Sequence, residues 1–434
     1  MPIAAQSLIS STLNLVDNLM VGSLGETELA AVGVASQIFF IHWMLMFGFT
    51  SGSATFMAQF FGSNNLSSIR KTAGFAITVC GGFSLILFSI AFFAPEWVLS
   101  IFTDIPEVLA LGKGYVQWVA FTMLMLSITV PLTASLRATH QTHIPLLISI
   151  GVFSTNTFLN YILIFGHFGA PTLGVTGAGI ATLIARTLEI LLVFYMVFGR
   201  RNLIAGRLRE FFGWSRAFIL RVVRNAVPTT INETMWGIGT AMYVAAYARI
   251  GVTEYAAVQA SNTINHVFIM AAFSLGDAAL ILVGQKIGEG KLDYAYYLGK
   301  RLLRIGTIIG ALLGLLLILF SRPLISLFGF TPQGAQYAFL ILLIYGLSMG
   351  PQLYTGMNIV GTLRAGGDTR FAMLTECGTI WLVGVPMAFL GALALELPIY
   401  WVVLMVKMEE VVKFFILHRR FISGRWVKNV IKDL

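Results

Sequence analysis

The sequence predicts an all-α polytopic membrane protein, with twelve transmembrane helices in two six-helix lobes that form a parallel repeat. Three observations carry this: composition, a run of apolar windows, and likeness between the two halves. Of 434 residues, 57% are hydrophobic and 11% charged, and mean hydropathy is +0.84. A soluble domain is about 25% charged. Windows of about 20 apolar residues, enough to cross a bilayer, fall near 2–21, 30–61, 72–95, 114–136, 146–166, 176–199, 226–248, 254–285, 303–320, 335–362, 371–392 and 398–418. Leu24-Gly25-Glu26-Thr27-Glu28-Leu29-Ala30-Ala31-Val32 matches Ile250-Gly251-Val252-Thr253-Glu254-Tyr255-Ala256-Ala257-Val258 at an offset of 226, which also pairs Pro2 with Pro228, Gln59 with Gln285 and Gly62 with Gly288. An offset of 227 pairs Leu136-Arg137-Ala138 with Leu363-Arg364-Ala365 and Thr142 with Thr369. Six windows per half return the chain to its starting side, so both halves enter the bilayer from the same side.

The first window is apolar from its start and has no basic lead, so it does not read as a secretory signal. We expect the native chain to be longer or this sequence to be truncated. The window carries Asp17. An ionised carboxylate in hydrocarbon costs about 2.5–3.5 kcal/mol, and its usual role there is a cation or proton site facing water. The alternative is a structural aspartate bonded to Asn14 or Asn18. Windows two, eight and ten exceed a straight span and are expected to tilt, bend at glycines or run past the bilayer. Phe39, Phe40, Trp43, Met44, Met46 and Phe47 give the second window an adaptable apolar surface able to meet flat cations, although lipid or core is their ordinary setting. Cys80 in the third window and Cys377 in the eleventh make no disulfide framework or metal spacing.

The sixth window holds Arg186 and Glu189, spaced for a pair along one helix. The seventh places Glu233 five residues after Pro228, either as a coupling or substrate-binding acid or as an interfacial acid paired with Arg224 or Arg221. In the eighth, Asp277 is either a second acid of the C-lobe or a polar hinge. Its neighbours Asn262, Asn265 and His266 read as interhelical hydrogen-bonding groups. After the tenth, Arg364 and Asp368 are four apart, a spacing that suggests lobe architecture. Glu376 in the eleventh has no evident sequence partner, while Glu409, Glu410 and Lys413 in the last window suggest a cytoplasmic-end network.

Net charge is +9, but the basic residues are sorted by loop. Of 28, 23 fall in the even-numbered connections and the C-terminal tail, against Lys113, Arg249 and Arg322 in the odd ones. This asymmetry puts both termini in the cytoplasm and explains the charge without nucleic acid. Residues 1–200 are then an N-lobe, 201–225 a basic cytoplasmic linker with an amphipathic stretch on the membrane, and 226–434 a C-lobe with a basic tail. No Gly-x4-Gly-Lys-Ser/Thr, His-Glu-x-x-His, cysteine cluster or nucleophile elbow is present, which argues against ATP-driven export and membrane enzymology.

Asn14-Leu15-Val16-Asp17, Val21-Gly22-Ser23-Leu24-Gly25, Leu29-Ala30-Ala31-Val32-Gly33, Asn160-Tyr161-Ile162-Leu163-Ile164-Phe165-Gly166, Gly174-Val175-Thr176-Gly177-Ala178 and Leu363-Arg364-Ala365-Gly366-Gly367-Asp368-Thr369 together resemble the multidrug and toxic compound extrusion (MATE) family. The likeness spans nearly the whole chain. It implies two lobes in a V around a central cleft, and a cation-coupled antiporter that exports organic, cationic and aromatic compounds from a bacterial-type inner membrane by alternating access. No cofactor is implied beyond a coupling ion, H⁺ in preference to Na⁺. The expected partners are small organic cations and membrane lipid, with the protein a monomer. The family pattern maps cation coupling to Asp17, Asn156, Asn160 and Thr182. Asn160 stands where DinF-like members carry an aspartate, leaving one carboxylate there. Glu233 matches a C-lobe coupling acid of NorM-like members, whose Tyr-x-x-x-Asp partner is absent around Gly350 and Leu353. The alternative is a related lipid-linked or polysaccharide exporter, which would favour a more cationic cavity.

Overall fold

The computed structural model describes residues 2–432, apart from the side chains of residues 4, 11, 14, 15, 267 and 270–273. Among the described residues, twelve long helical segments follow one another. They are α1 (Pro2–Gly22), α2 (Glu26–Gly62), α3 (Leu66–Phe93), α4 (Pro106–Ala138), α5 (His143–Phe165), α6 (Gly174–Phe194), α7 (Arg216–Tyr247), α8 (Val252–Gly288), α9 (Leu292–Ile325), α10 (Pro332–Gly356), α11 (Thr369–Thr379) and α12 (Ile399–Ile422). Helix α10 runs on as a π-helical turn over Met357–Leu363, and α11 continues through further helical turns to Ala394. Eight of the twelve are long and apolar enough to cross a membrane by length and composition.

Local chemistry sets the ends. The Asn65 side chain accepts from Ser68 N at 3.0 Å ahead of α3, satisfying one of that helix's free N–H groups. Thr331 does the same for Gly334 N before α10, with Pro332 in the first helical position. Gly166, at φ 75°, closes α5 in a left-handed conformation that a side chain would strain.

Several helices outrun their apolar windows. Helices α4, α7 and α9 have 33, 32 and 34 residues, lengths the hydropathy pattern did not announce. Residues 216–225, expected in the linker, are the first turns of α7. A polar, basic turn continues a helix as readily as an apolar one once backbone hydrogen bonds are running. Helices α2 and α8, at 37 residues each, are about 55 Å long, well beyond a hydrocarbon layer of about 30 Å.

The chain divides into two compact units: residues 2–57 with 65–222, and residues 58–64 with 223–432. In the first, Ala35, Ile38, Val98, Leu99, Val116 and Met123 form one buried cluster, and Val21, Val32, Ile164, Val175 and Ala178 another. The connection after α6 docks on α3. Phe211 of the short helix Leu208–Phe212 is buried, with its carbonyl against Gly74, and Trp214 Nε1 donates to Lys71 O at 2.9 Å. Glu210 caps that helix and meets Arg70 at 2.5 Å. The Arg207 backbone N–H and the Arg70 guanidinium hold the Glu210 carboxyl below the usual range.

In the second unit, α9 and α10 pack along Gly310 and Gly314 on one side and Gly346 and Gly350 on the other. A methyl group on Gly314 would lie 2.1 Å from Gly346 O. Small residues four apart let helix backbones approach closely. Residues 58–64 belong to this unit because Gln59 is bonded into it. Its Nε2 donates to Ala365 O at 2.8 Å and Lys428 O at 3.1 Å, while its Oε1 accepts from Val430 N at 2.9 Å. Gly62 lies on the carbonyl of Gln285 and Gly288 on that of Gln59, so repeat-equivalent residues meet in reciprocal pairs. A Cβ on Gly288 would fall 1.9 Å from Gln59 O. Gly288→Ala is therefore expected to cost about 1–3 kcal/mol, as overpacking against rigid backbone does. The check is a lowered midpoint in detergent thermal unfolding.

Candidate functional site

Asp17 lies three-quarters of the way along α1, in a helix whose neighbouring side chains are mostly apolar. Asn156 and Asn160 stand one turn apart on α5 and are 1% and 0% exposed, so the two amides present one polar edge. Thr182 is on α6, its hydroxyl donating to Ala178 O at 2.9 Å. The structure links all four. Asn160 Nδ2 donates to Asp17 Oδ1 at 2.6 Å and to Asn156 Oδ1 at 3.2 Å, and Asn156 Nδ2 donates to Thr182 Oγ1 at 3.4 Å. Asp17 thus takes a bond across helices, while Asn14, one of the two neighbours named as an alternative partner, has its side chain outside the described residues. Buried amides in a span are satisfied by one another across helices because no water competes.

One atom in this chain of bonds is left over. Asn160 Oδ1 is buried without a hydrogen-bond partner among the described residues. A buried acceptor without a donor costs about 1–3 kcal/mol, and it lies on the amide that holds Asp17. One turn beyond Thr182, Arg186 Nη1 binds Glu189 Oε2 at 2.6 Å, the expected pair. The Arg186 charge also acts on Asp17. Sequence reasoning placed Arg186 in an ion pair and did not connect it with the carboxylate. Its position four residues after Thr182 is the signal that connects them.

The second unit gathers more charge than its sequence suggested. Glu233 Oε1 accepts from Arg364 Nη2, a side chain 1% exposed, and not from Arg221 or Arg224. Asp368 takes Arg420 at 2.7 and 3.0 Å and Lys428 at 3.1 Å. Arg364 and Asp368 lie where the chain passes from the end of α10 into α11.

Glu409, Glu410 and Lys413 are no cytoplasmic-end network. They are buried half-way along α12, at 8%, 7% and 2% exposure. Lys413, counted among the basic residues of the tail, thus belongs to the core. Its Nζ lies 3.0 Å from Glu410, 3.8 Å from Glu409 and 3.9 Å from Glu376. Tyr243 donates to Glu409, Thr355 to Glu410 at 2.7 Å, and Asn232 Nδ2 to Glu376 Oε2 at 2.6 Å. Lys407 Nζ reaches Gln352 Oε1 at 3.4 Å and lies 5.0 Å over the Tyr345 ring, whose hydroxyl donates to Asn262. The expectation missed Asn232, Tyr243 and Thr355. A signal existed only for Asn232, an amide beside Glu233 in an apolar span.

Asp277 is half-buried on α8, next to Gly276, which packs against α10 at Val360 and Gly361. His266 is exposed, and Asn265 is buried with its Oδ1 unpaired among the described residues. Gly350 and Leu353 are buried, the former facing α9. Among the described residues, no group of three or more His, Cys, Asp or Glu side chains is arranged to hold a metal.

The MatE family model matches residues 2–162 and 226–390. An uncharacterised transporter, YisQ of Bacillus subtilis, is 24% identical over 429 residues, 99% of this chain and 94% of its own. The multidrug resistance protein NorM of Burkholderia vietnamiensis is 28% identical over 401 residues, covering 89% of this chain and 84% of its own. Among solved structures, a variant of the Vibrio cholerae MATE transporter VcmN superposes with a TM-score of 0.89 at 17% identity, over 99% of this chain and 96% of that one.

Proposed function

The chain belongs to the MatE family of membrane transporters, and from that premise we propose that it is a proton-coupled antiporter exporting organic cations across a bacterial plasma membrane. NorM of Burkholderia vietnamiensis is a multidrug resistance protein, which supports drug-like cargo, and several apolar helices fit such a membrane. The observation that carries the coupling is the bonded set Asp17, Asn160, Asn156 and Thr182.

The arrangement favours a proton over Na⁺ for a stereochemical reason. Asn160 already donates to one oxygen of Asp17, and its own Oδ1 lacks a donor. Protonating Asp17 creates an O–H donor on the same carboxyl group. Acid and amide then close a cyclic pair with two parallel hydrogen bonds, and the orphan acceptor is satisfied. Sodium would need several oxygen ligands, while the Asn160 N–H group points at the carboxylate as a donor.

In the cycle we infer, deprotonated Asp17 supplies the negative charge that favours a cationic guest in the N-terminal unit. Proton entry from outside removes that charge and weakens guest binding. The empty, protonated carrier returns and releases its proton inside, so access alternates between the two faces. The basic connections put both termini in the cytoplasm, and a single chain suffices. Asp17, Glu376, Glu409 and Glu410 give the spans an acidic character, which favours cationic cargo over an anionic lipid-linked sugar. Asp277 remains a candidate contact for that cargo.

The test is transport in liposomes loaded with a fluorescent organic cation, with a pH gradient and a Na⁺ gradient imposed separately. Efflux is expected under the pH gradient alone. Efflux that follows Na⁺ and ignores pH would sink the proton reading.

A further inference from the structure

We propose that Glu376, paired with Asn232, is a second proton-binding site, housed in the C-terminal unit and loading independently of Asp17. It rests on the reading of Asp17 and extends it to Glu376, an acid for which the sequence offered no partner.

The first ground is a repeated stereochemical signature. In each unit a carboxyl group accepts from an asparagine Nδ2 at 2.6 Å: Asp17 from Asn160, and Glu376 from Asn232. In each, the Oδ1 of that same amide is buried with no partner among the described residues. Asn232 is 2% exposed, and its orphan oxygen belongs to the same amide group whose N–H is bonded to Glu376. A proton on Glu376 supplies the missing donor and closes the same two-bond ring.

The second ground is the repeat. Both pairs join the first helix of a unit to its fifth, α1 to α5 and α7 to α11, with acid and amide exchanged between the two helices. The offsets of 226 and 227 set Tyr243 opposite Asp17 and Met387 opposite Asn160. Asn232 and Glu376 each lie eleven residues before those positions. The pair has thus moved about 16 Å along both helices together. Equal displacement on two helices keeps the two groups in register with one another. The repeat also sets Glu409 opposite Thr182 and Lys413 opposite Arg186, so a cation stands near each pair.

The third ground is charge. Glu376, Glu409 and Glu410 face Lys413 within 3.9 Å, and Lys407 on the same helix reaches Gln352. Glu233 and Arg364, whose charges also act on Glu376, form their own neutral pair. Three carboxylates against two ammonium groups leave an excess negative charge in a span, which one proton neutralises. Glu410 keeps its charge through Lys413 at 3.0 Å and Thr355 at 2.7 Å. Glu409 takes the Tyr243 hydroxyl. Glu376 is left with a neutral amide donor and the most distant of the Lys413 contacts, which makes it the acceptor. A metal cation is disfavoured because the lysine ammonium occupies the centre of the carboxylates. Loading takes a proton from water to form an O–H bond on Glu376 Oε1, the oxygen not bonded to Asn232 and 3.9 Å from Lys413 Nζ, and unloading returns it to water.

The experiment is infrared difference spectroscopy on the purified full chain, titrated from mildly acidic to mildly alkaline pH. Wild type is expected to show two pH-dependent protonated-carboxyl bands. Asp17→Asn should lose one, and Glu376→Gln the other. In the Asp17→Asn background, Asn232→Ala should shift the surviving band, because it removes the hydrogen bond to Glu376. No surviving band in Asp17→Asn would overturn the proposal, even if Glu376→Gln failed to fold. So would a band that persists in Glu376→Gln and disappears in Glu409→Gln. A band lost in Glu376→Gln, with none lost in Asp17→Asn, would instead remove the coupling role of Asp17 and leave the second site standing.

Discussion

Asp17→Asn is expected to reduce pH-driven efflux to the level of protein-free liposomes while leaving the protein folded. The substituted amide is nearly isosteric with the carboxyl group. It can accept from Asn160 Nδ2, as Asp17 does at 2.6 Å, and can donate to the orphan Asn160 Oδ1. The variant thus mimics the proton-loaded ring permanently. Stability should change by no more than about 1 kcal/mol, and toward stabilisation, because a buried acceptor gains its donor. Coupling should vanish because an amide does not exchange a proton in the working pH range. Asp17→Ala makes the contrast: it leaves both ends of the Asn160 amide without that partner and should lower the unfolding midpoint. The pair of variants separates charge from structure. Pulse-loaded liposomes with thermal unfolding measured in parallel would decide it. pH-driven efflux retained by folded Asp17→Asn would move the coupling site away from α1.

The difference between what the sequence disclosed and what it concealed follows from how far apart the interacting residues are. Apolar windows disclosed twelve spans because hydrocarbon demands a local, contiguous run of residues. They missed the basic turns at the start of α7 and the polar turns that lengthen α9, because helix propagation does not require apolarity. Asp17 stood out by the cost of burying a carboxylate, and Asn156 and Asn160 by spacing on one helix face. The bond between Asp17 and Asn160 crosses 143 residues, and that between Asn232 and Glu376 crosses 144. Only the family pattern bridged the first, and nothing in the sequence bridged the second. Local spacing did not name the partners of Arg364 and Asp368, which are Glu233 and Arg420. Spacing misled at Lys413, whose four-residue separation from Glu409 suggested a network at the cytoplasmic end. Three carboxylates within reach explain its burial.

Glu233→Gln is expected to destabilise the protein by about 3 kcal/mol, the lower end of the range for breaking a buried ion pair. The pair is asymmetric: the Arg364 side chain is 1% exposed and that of Glu233 15%. Removing the acid takes a charged hydrogen-bond partner from a guanidinium held in the interior, and that loss is the main cost. Glutamine keeps one acceptor for Arg364 Nη2 but not the charge. The same geometry predicts what the variant does to transport. A carboxylate already neutralised by a fixed guanidinium has little charge to offer a moving ion, so the pH dependence of efflux per folded molecule should match wild type. Yield and unfolding midpoint should fall. Thermal unfolding in detergent, combined with efflux normalised to folded protein, distinguishes this from a coupling role, which would leave the midpoint unchanged and alter the pH dependence. If coupling is altered while stability is intact, Glu233 takes the place argued for Glu376, and Arg364 becomes its gate.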